Sequence, residues 1–140
     1  MINILCLNCN SKVSSKNKYC SNICELEYQY KNYIINWKNG LKTGMRGEYQ
    51  ISMHIKTYLF KKYDNKCSKC GWSQINPYTN SIPLEIEHID GNYRNNKEEN
   101  LRLLCPNCHS LTETYKGANI HKGRKSRNRY YINKEAVNGK

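Results

Sequence analysis

The sequence predicts an α+β fold built from two small modules that are stapled rather than held by a large apolar core. Three observations carry this. First, 140 residues suffice for one modest domain or two small ones, and domains of that size bury a low fraction of their surface. Second, the eight cysteines fall in four close pairs, Cys6/Cys9, Cys20/Cys24, Cys67/Cys70 and Cys105/Cys108, a spacing suited to tetrahedral thiolate zinc. Third, the apolar pattern changes along the chain from a helical period in two stretches to a period of two near residues 83–89.

The other use of paired cysteines is a secreted disulfide scaffold. Residues Met1-Ile-Asn-Ile-Leu-Cys6 show no charged region followed by an apolar run and cleavage site, and no stretch approaches the ~20 apolar residues of a membrane span. A protein of the reducing cytosol, with no membrane partner, is therefore expected, and zinc rather than disulfides. The formal charge is +12. Four thiolates around one Zn²⁺ carry about −2, so two such sites leave +12 − 4, or about +8. That surplus points to an anionic partner, and nucleic acid is the natural one.

In chain order, residues 1–38 form the first expected module. Cys6, Cys9, Cys20 and Cys24 are read as a structural zinc set, since four thiolates leave no open coordination position, and with few apolar residues between the pairs the module depends on the metal. A helix follows from Asn22 to about Lys38. Asn22 with Glu25 resembles a capping box, Leu26, Tyr30, Tyr33, Ile34 and Trp37 give the apolar stripe, and Gly40 is the expected stop. Residues 39–51, with three glycines and the basic Lys42 and Arg46, read as a basic linker able to lie along a phosphate backbone.

Residues 52–117 are the second module. Ser52 caps a helix whose apolar face is Ile55, Tyr58, Leu59 and Tyr63, and His54 near its start is an ordinary surface or packing histidine. Leu84, Ile86 and His88 alternate with Glu85, Glu87 and Ile89 in a strand; Asp90-Gly91-Asn92 is a turn, 93–99 a polar loop and 101–104 the returning strand. Pro106 suits a first helical turn, so a helix from Pro106 to about Lys116 is expected, with His109 near its positive end. Cys67, Cys70, Cys105 and Cys108 form a second, structural zinc set that clamps the hairpin to this helix. Residues 118–140 are a basic tail in which Lys122, Arg124, Lys125, Arg127 and Arg129 are candidate nucleic-acid contacts.

Three motifs in this order, Lys66-Cys-Ser-Lys-Cys-Gly-Trp72, Pro83-Leu-Glu-Ile-Glu-His-Ile-Asp-Gly-Asn92 and Glu99-Asn-Leu-Arg-Leu-Leu-Cys-Pro-Asn-Cys-His109, mark a resemblance. From about His54 to Lys116 the chain resembles the HNH endonucleases, in the cysteine-bearing type common in phage and bacterial genomes. The resemblance implies a ββα-metal core, DNA as substrate, and a bacterial or phage-infected cytoplasm. It also implies the roles: His88 as general base, Glu87 and His109 as ligands of a catalytic divalent ion (Mg²⁺, Mn²⁺ or Ni²⁺), and Asn100 bonding across the loop to orient His88.

The residues suit that chemistry. Phosphodiester hydrolysis needs a base for the water proton and positive charge for the transition state, which imidazole and a divalent ion supply near neutral pH. Strict alternation sends Glu87 and His88 to opposite faces of a strand, so both reach one centre only if the strand ends there, as the Asp90-Gly91 turn allows. Many relatives carry aspartate where Glu87 stands. Asp90 is a competing ligand, or else shapes the turn. The alternative to a nuclease is a non-catalytic, zinc-held DNA-binding protein.

Overall fold

A computed structural model describes residues 4–119. They form two compact units, one reaching Lys42 and one starting at Thr43, and mix short strands with helices. Among the described residues no helix is long and apolar enough to cross a membrane.

The first unit opens with a two-stranded antiparallel ribbon, β1 (Ile4–Leu5) paired with β2 (Lys12–Val13). Cys6 and Cys9 sit in the tight turn between them, with Asn10 N–H donating to Cys6 O at 3.0 Å. Helix α1 (Asn22–Lys38) follows. Its cap is Ser21 rather than Asn22: the Ser21 hydroxyl accepts from Cys24 N–H at 3.2 Å, which moves the expected capping box one residue out of register. The stop at Gly40 is as expected. Gly40 has φ +76°, its N–H donates to Trp37 O at 3.0 Å and Leu41 N–H to Asn36 O at 2.8 Å, the paired bonds that close a helix through a left-handed residue. Ile34 and Trp37 are buried, whereas Leu26, expected on the apolar stripe, is 64% exposed.

The second unit begins inside the stretch expected to be a linker. Strands β3 (Met45–Arg46) and β4 (Gln50–Ile51) pair there as a short hairpin, and Ser52 N–H closes it on Gly44 O at 2.8 Å. Helix α2 (Met53–Lys62) starts at Ser52, whose hydroxyl accepts from His54 N–H at 3.2 Å. Ile55 and Leu59 are its fully buried residues, the i, i+4 pair that a helical stripe predicts.

Strands β5 (Glu85–His88) and β6 (Leu101–Leu104) are antiparallel in the register Glu85↔Leu104, Ile86↔Leu103, Glu87↔Arg102 and His88↔Leu101. A five-residue helix, α3 (Pro106–Ser110), follows β6. The helix expected to run to Lys116 is thus much shorter. Turns occupy 111–115 and a short 3-10 segment Lys116–Asn119. Leu84, Leu103 and Leu104 form the core with Cys67, Cys105 and Cys108, and Phe60 of α2 and Tyr63, which caps that helix, pack against them. One small core therefore contains a cysteine set, the hairpin and α2.

Candidate metal centres and active-site cleft

The two cysteine sets come together as expected. Within each of Cys6/Cys9/Cys20/Cys24 and Cys67/Cys70/Cys105/Cys108, all four sulfurs lie within 4.8 Å of one another. Neighbouring sulfurs are 3.3 Å (Cys20–Cys24), 3.5 Å (Cys9–Cys20) and 3.8 Å (Cys70–Cys105) apart. A disulfide needs about 2.05 Å, whereas four thiolates at about 2.3 Å from one zinc stand roughly 3.8 Å apart. The donor sets fit zinc.

Local geometry explains why each pair closes. In Cys67-x-x-Cys70 the next residue, Gly71, takes φ +75°, letting its N–H donate to Cys67 O at 2.8 Å while Cys67 N–H donates to Trp72 O at 2.9 Å. In Cys6-x-x-Cys9 the same place is held by Asn10 at φ 61°. Gly and Asn are the residues that adopt this conformation most cheaply. The second pair of each set lies at a helix start. Cys105 is itself the cap of α3, its sulfur accepting from Cys108 N–H at 3.4 Å.

Ionisation within each set is uneven. Burial pushes the Cys67 thiol up, but backbone donors at Cys105, Cys70 and Lys69 outweigh it and hold the thiol at about 6. Cys108 is pushed up to about 12 by the Cys70 sulfur, by burial and by Cys105 and Cys67. The first set repeats this, with Cys6 at about 6 against burial through backbone donors, and Cys20 at about 12 through the Cys24 and Cys9 sulfurs. Each added thiolate faces those already present, and a divalent cation cancels that repulsion.

The second unit also holds a cleft of about 420 Å³. Glu85, Glu87 and His88 of β5, His109 of α3, Lys56 of α2, and Lys116 are among the residues that line it. Glu87 and His88, the last residue of β5, both line the cleft.

Their partners differ from what the sequence suggests. Glu87 is 3% exposed and forms an ion pair with Arg102, its neighbour across the strands, while Thr114 Oγ1 donates to its other oxygen at 3.4 Å. The carboxylate standing at His109 is Glu85, with Oε2 3.4 Å from His109 Nε2. His109 Nδ1 is buried and has no hydrogen-bond partner among the described residues. Tyr115 meets the His109 ring edge-on, with centroids 5.4 Å apart.

Asn100 is buried and braces the loop from within. Its Oδ1 accepts from Asp90 N–H at 3.0 Å, and its Nδ2 donates to Asp90 Oδ1 at 2.9 Å and Asn95 O at 2.8 Å. The side chain that meets the His88 ring is instead Asn96, with Oδ1 2.7 Å from Nε2. Asn100 thus ties the loop at Asp90 and Asn95, while Asn96 meets the imidazole. Asp90 shapes the turn: its carboxylate accepts from Asn92 N–H at 2.8 Å and Asn95 Nδ2 at 2.7 Å. Burial pushes the Asp90 carboxyl up, and the donors of Asn95, Asn92 and Asn100 together with nearby His88 hold it below the usual carboxylate value.

Asn96 and Glu85 escaped the sequence reading. The one faint signal for Asn96 was the density of asparagines in Asn92-Tyr-Arg-Asn-Asn96, which reads as a polar loop until the fold is known. Of the basic residues singled out, Lys42 in the first unit and Arg46 on β3 are exposed. Lys122, Arg124, Lys125, Arg127 and Arg129 lie outside the described residues. The five-residue α3 is too short for the macrodipole expected at His109.

The chain is similar to the H-N-H endonuclease F-TflIV of Escherichia phage T5, with 54% identity over 56 residues. That stretch covers 40% of this chain and 24% of the phage protein, so the chain matches about a quarter of its relative's length. No family model matches the chain, and no solved structure matches it. An identity of 54% across 56 residues nevertheless shows the resemblance read from the motifs, and over that stretch this chain is a homologue of an H-N-H endonuclease.

Proposed function

We propose that the chain is a metal-dependent HNH endonuclease that hydrolyses DNA phosphodiester bonds, with the strand-strand-helix segment as a ββα-metal core. The observation that carries this reading is the meeting of His88, His109, Glu85 and Glu87 in one cleft, with His109 directly following Cys108 of a cysteine set that fits structural zinc. The similarity to a phage H-N-H endonuclease supports it. Excess positive charge, +12 before metal binding, supports DNA as the partner, with Lys42, Arg46 and the basic residues between Lys122 and Arg129 as contacts.

In this reading both zinc sets are structural, since four thiolates fill each tetrahedron. His109 and Glu87 would hold the catalytic ion, and Glu85 is the carboxylate that stands beside His109. Mg²⁺ suits the carboxylates, and Mn²⁺ or Ni²⁺ the imidazole. When bound, such an ion would supply positive charge for the transition state and the departing oxygen. His88 takes the proton of the attacking water. Arg102, paired with Glu87 across the strands, fixes that carboxylate in its buried place, and Asn100 with Asp90 holds the loop that follows His88.

A plasmid-nicking assay with Mg²⁺, Mn²⁺ and Ni²⁺ tests this. Wild type should convert supercoiled DNA, and His88→Ala should lose at least about 100-fold in rate while keeping its circular dichroism. Equal nicking by both proteins removes His88 from the reaction. Salt-sensitive binding without cleavage under any of the three metals would establish a non-catalytic DNA-binding protein instead.

A further inference from the structure

Asn96 lies in the loop joining β5 to β6 and is 3% exposed. A carboxamide is tolerated there only when its polar atoms find partners. Its Oδ1 stands 2.7 Å from His88 Nε2. Its Nδ2 is 2.9 Å from Met45 Sδ and donates to the carbonyl oxygen of Thr43 at 3.4 Å. Met45 is in β3, and Thr43 immediately precedes the hairpin.

A side-chain amide has one accepting and one donating end. Turned the other way, Asn96 would set its own oxygen against the Thr43 oxygen, two acceptors facing each other. The backbone of Thr43 therefore selects the end that meets the imidazole, and that end is an acceptor. Only a ring nitrogen carrying hydrogen satisfies an acceptor. Neutral His88 thus keeps its proton on Nε2 and its lone pair on Nδ1.

We infer that Asn96 is a positioning residue that fixes the tautomer of His88, making Nδ1 the basic nitrogen. The inference rests on the hydrolytic reading above. In that reaction Nδ1 takes a proton from water as the water oxygen bonds to phosphorus, and the ester oxygen leaves with the electron pair of the broken P–O bond. Through Thr43 and Met45, the stretch that sequence alone reads as a linker becomes part of the support for the reacting base.

The closing experiment reads the tautomer itself. The full zinc-loaded chain, labelled with ¹⁵N at histidine, is observed by long-range ¹H–¹⁵N correlation at a pH where the His88 ring is neutral. Wild type should show the Nε2–H tautomer at His88, N96A should lose that preference, and N96D, which retains an acceptor, should keep it. Nicking by N96A should fall at least about tenfold with unchanged DNA affinity, and N96D should retain more of the rate than N96A.

An Nδ1–H tautomer in the wild type would overturn the proposal, as would an N96A protein with tautomer and rate unchanged. The wild-type spectrum needs no substitution, so an N96A variant that fails to fold does not shield the proposal. If the Nε2–H tautomer depends on Asn96 but no metal supports cleavage, the positioning of His88 stands and the hydrolytic reading fails.

Discussion

Glu87 is a carboxylate with 3% exposure, stable in that place because Arg102 faces it across the strand pair. Removing one partner of such a pair leaves an uncompensated buried charge, which costs roughly 3–5 kcal/mol when both groups are buried. The Arg102 side chain is 35% exposed, so water already screens part of the interaction. Arg102→Ala should therefore destabilise the second unit by about 2–3 kcal/mol in urea unfolding, and a change below about 0.5 kcal/mol would show that the pair contributes little. Asp90 gives a pH-dependent counterpart. Its folded carboxyl is held below the ordinary value, so its contribution is fully present above the unfolded pKa of about 3.9 and is lost as the pH falls through the folded value. Asp90→Asn should be less stable than wild type at neutral pH, with the gap closing in acid; a gap that widens in acid would contradict the donors assigned to this carboxylate.

At the scale of the elements, the Cys-x-x-Cys turns that open the two sets, Cys6–Cys9 and Cys67–Cys70, are the same device built with different residues. Each needs a left-handed residue after its second cysteine, and the chain supplies Asn10 and Gly71. Gly71 has open space where a Cβ would project, so the strain in Gly71→Ala comes from the backbone alone. It should cost about 1–2 kcal/mol and weaken zinc retention against a chelator, whereas Asn10→Gly should be tolerated. Equal retention by Gly71→Ala and wild type would show that the turn does not limit metal binding. The helices show where local signals suffice. Ser52 and Gly40 announce an end because capping is decided within one turn. The cap of α1 fell one residue from the expected place because Ser21 and Asn22 are both good caps, and Cys24 N–H is bonded by Ser21. The length of α3 was not readable at all, since Leu111 to Tyr115 contain no proline or glycine to mark the turn that ends it.

Over the whole molecule, two cysteine sets in two compact units predict two zinc ions per chain by elemental analysis. Cys67→Ser with Cys105→Ser should reduce the content to one and unfold the second unit, because three members of that set belong to its core. A doubly substituted chain that still carries two zinc ions would refute the assignment. The net charge of +12 predicts DNA affinity that falls steeply between about 50 and 200 mM salt; affinity indifferent to salt would remove the basic residues from binding.

The sequence by itself determined the pairing of the cysteines into two sets, the order strand, loop, strand, helix in the second unit, and the candidates His88 and His109. These are carried by spacing, periodicity and residue chemistry, all properties of short stretches. Only the tertiary structure decided which side chains touch. Glu87 meets Arg102 because the strand register puts them opposite each other, Glu85 rather than Glu87 stands at His109, and Asn96 holds His88 through a hairpin about 50 residues earlier in the chain. No local pattern encodes a hydrogen bond across such a separation. It exists only once folding has fixed the register and brought the segments together, and that contact selects the nitrogen assigned to the proposed chemistry.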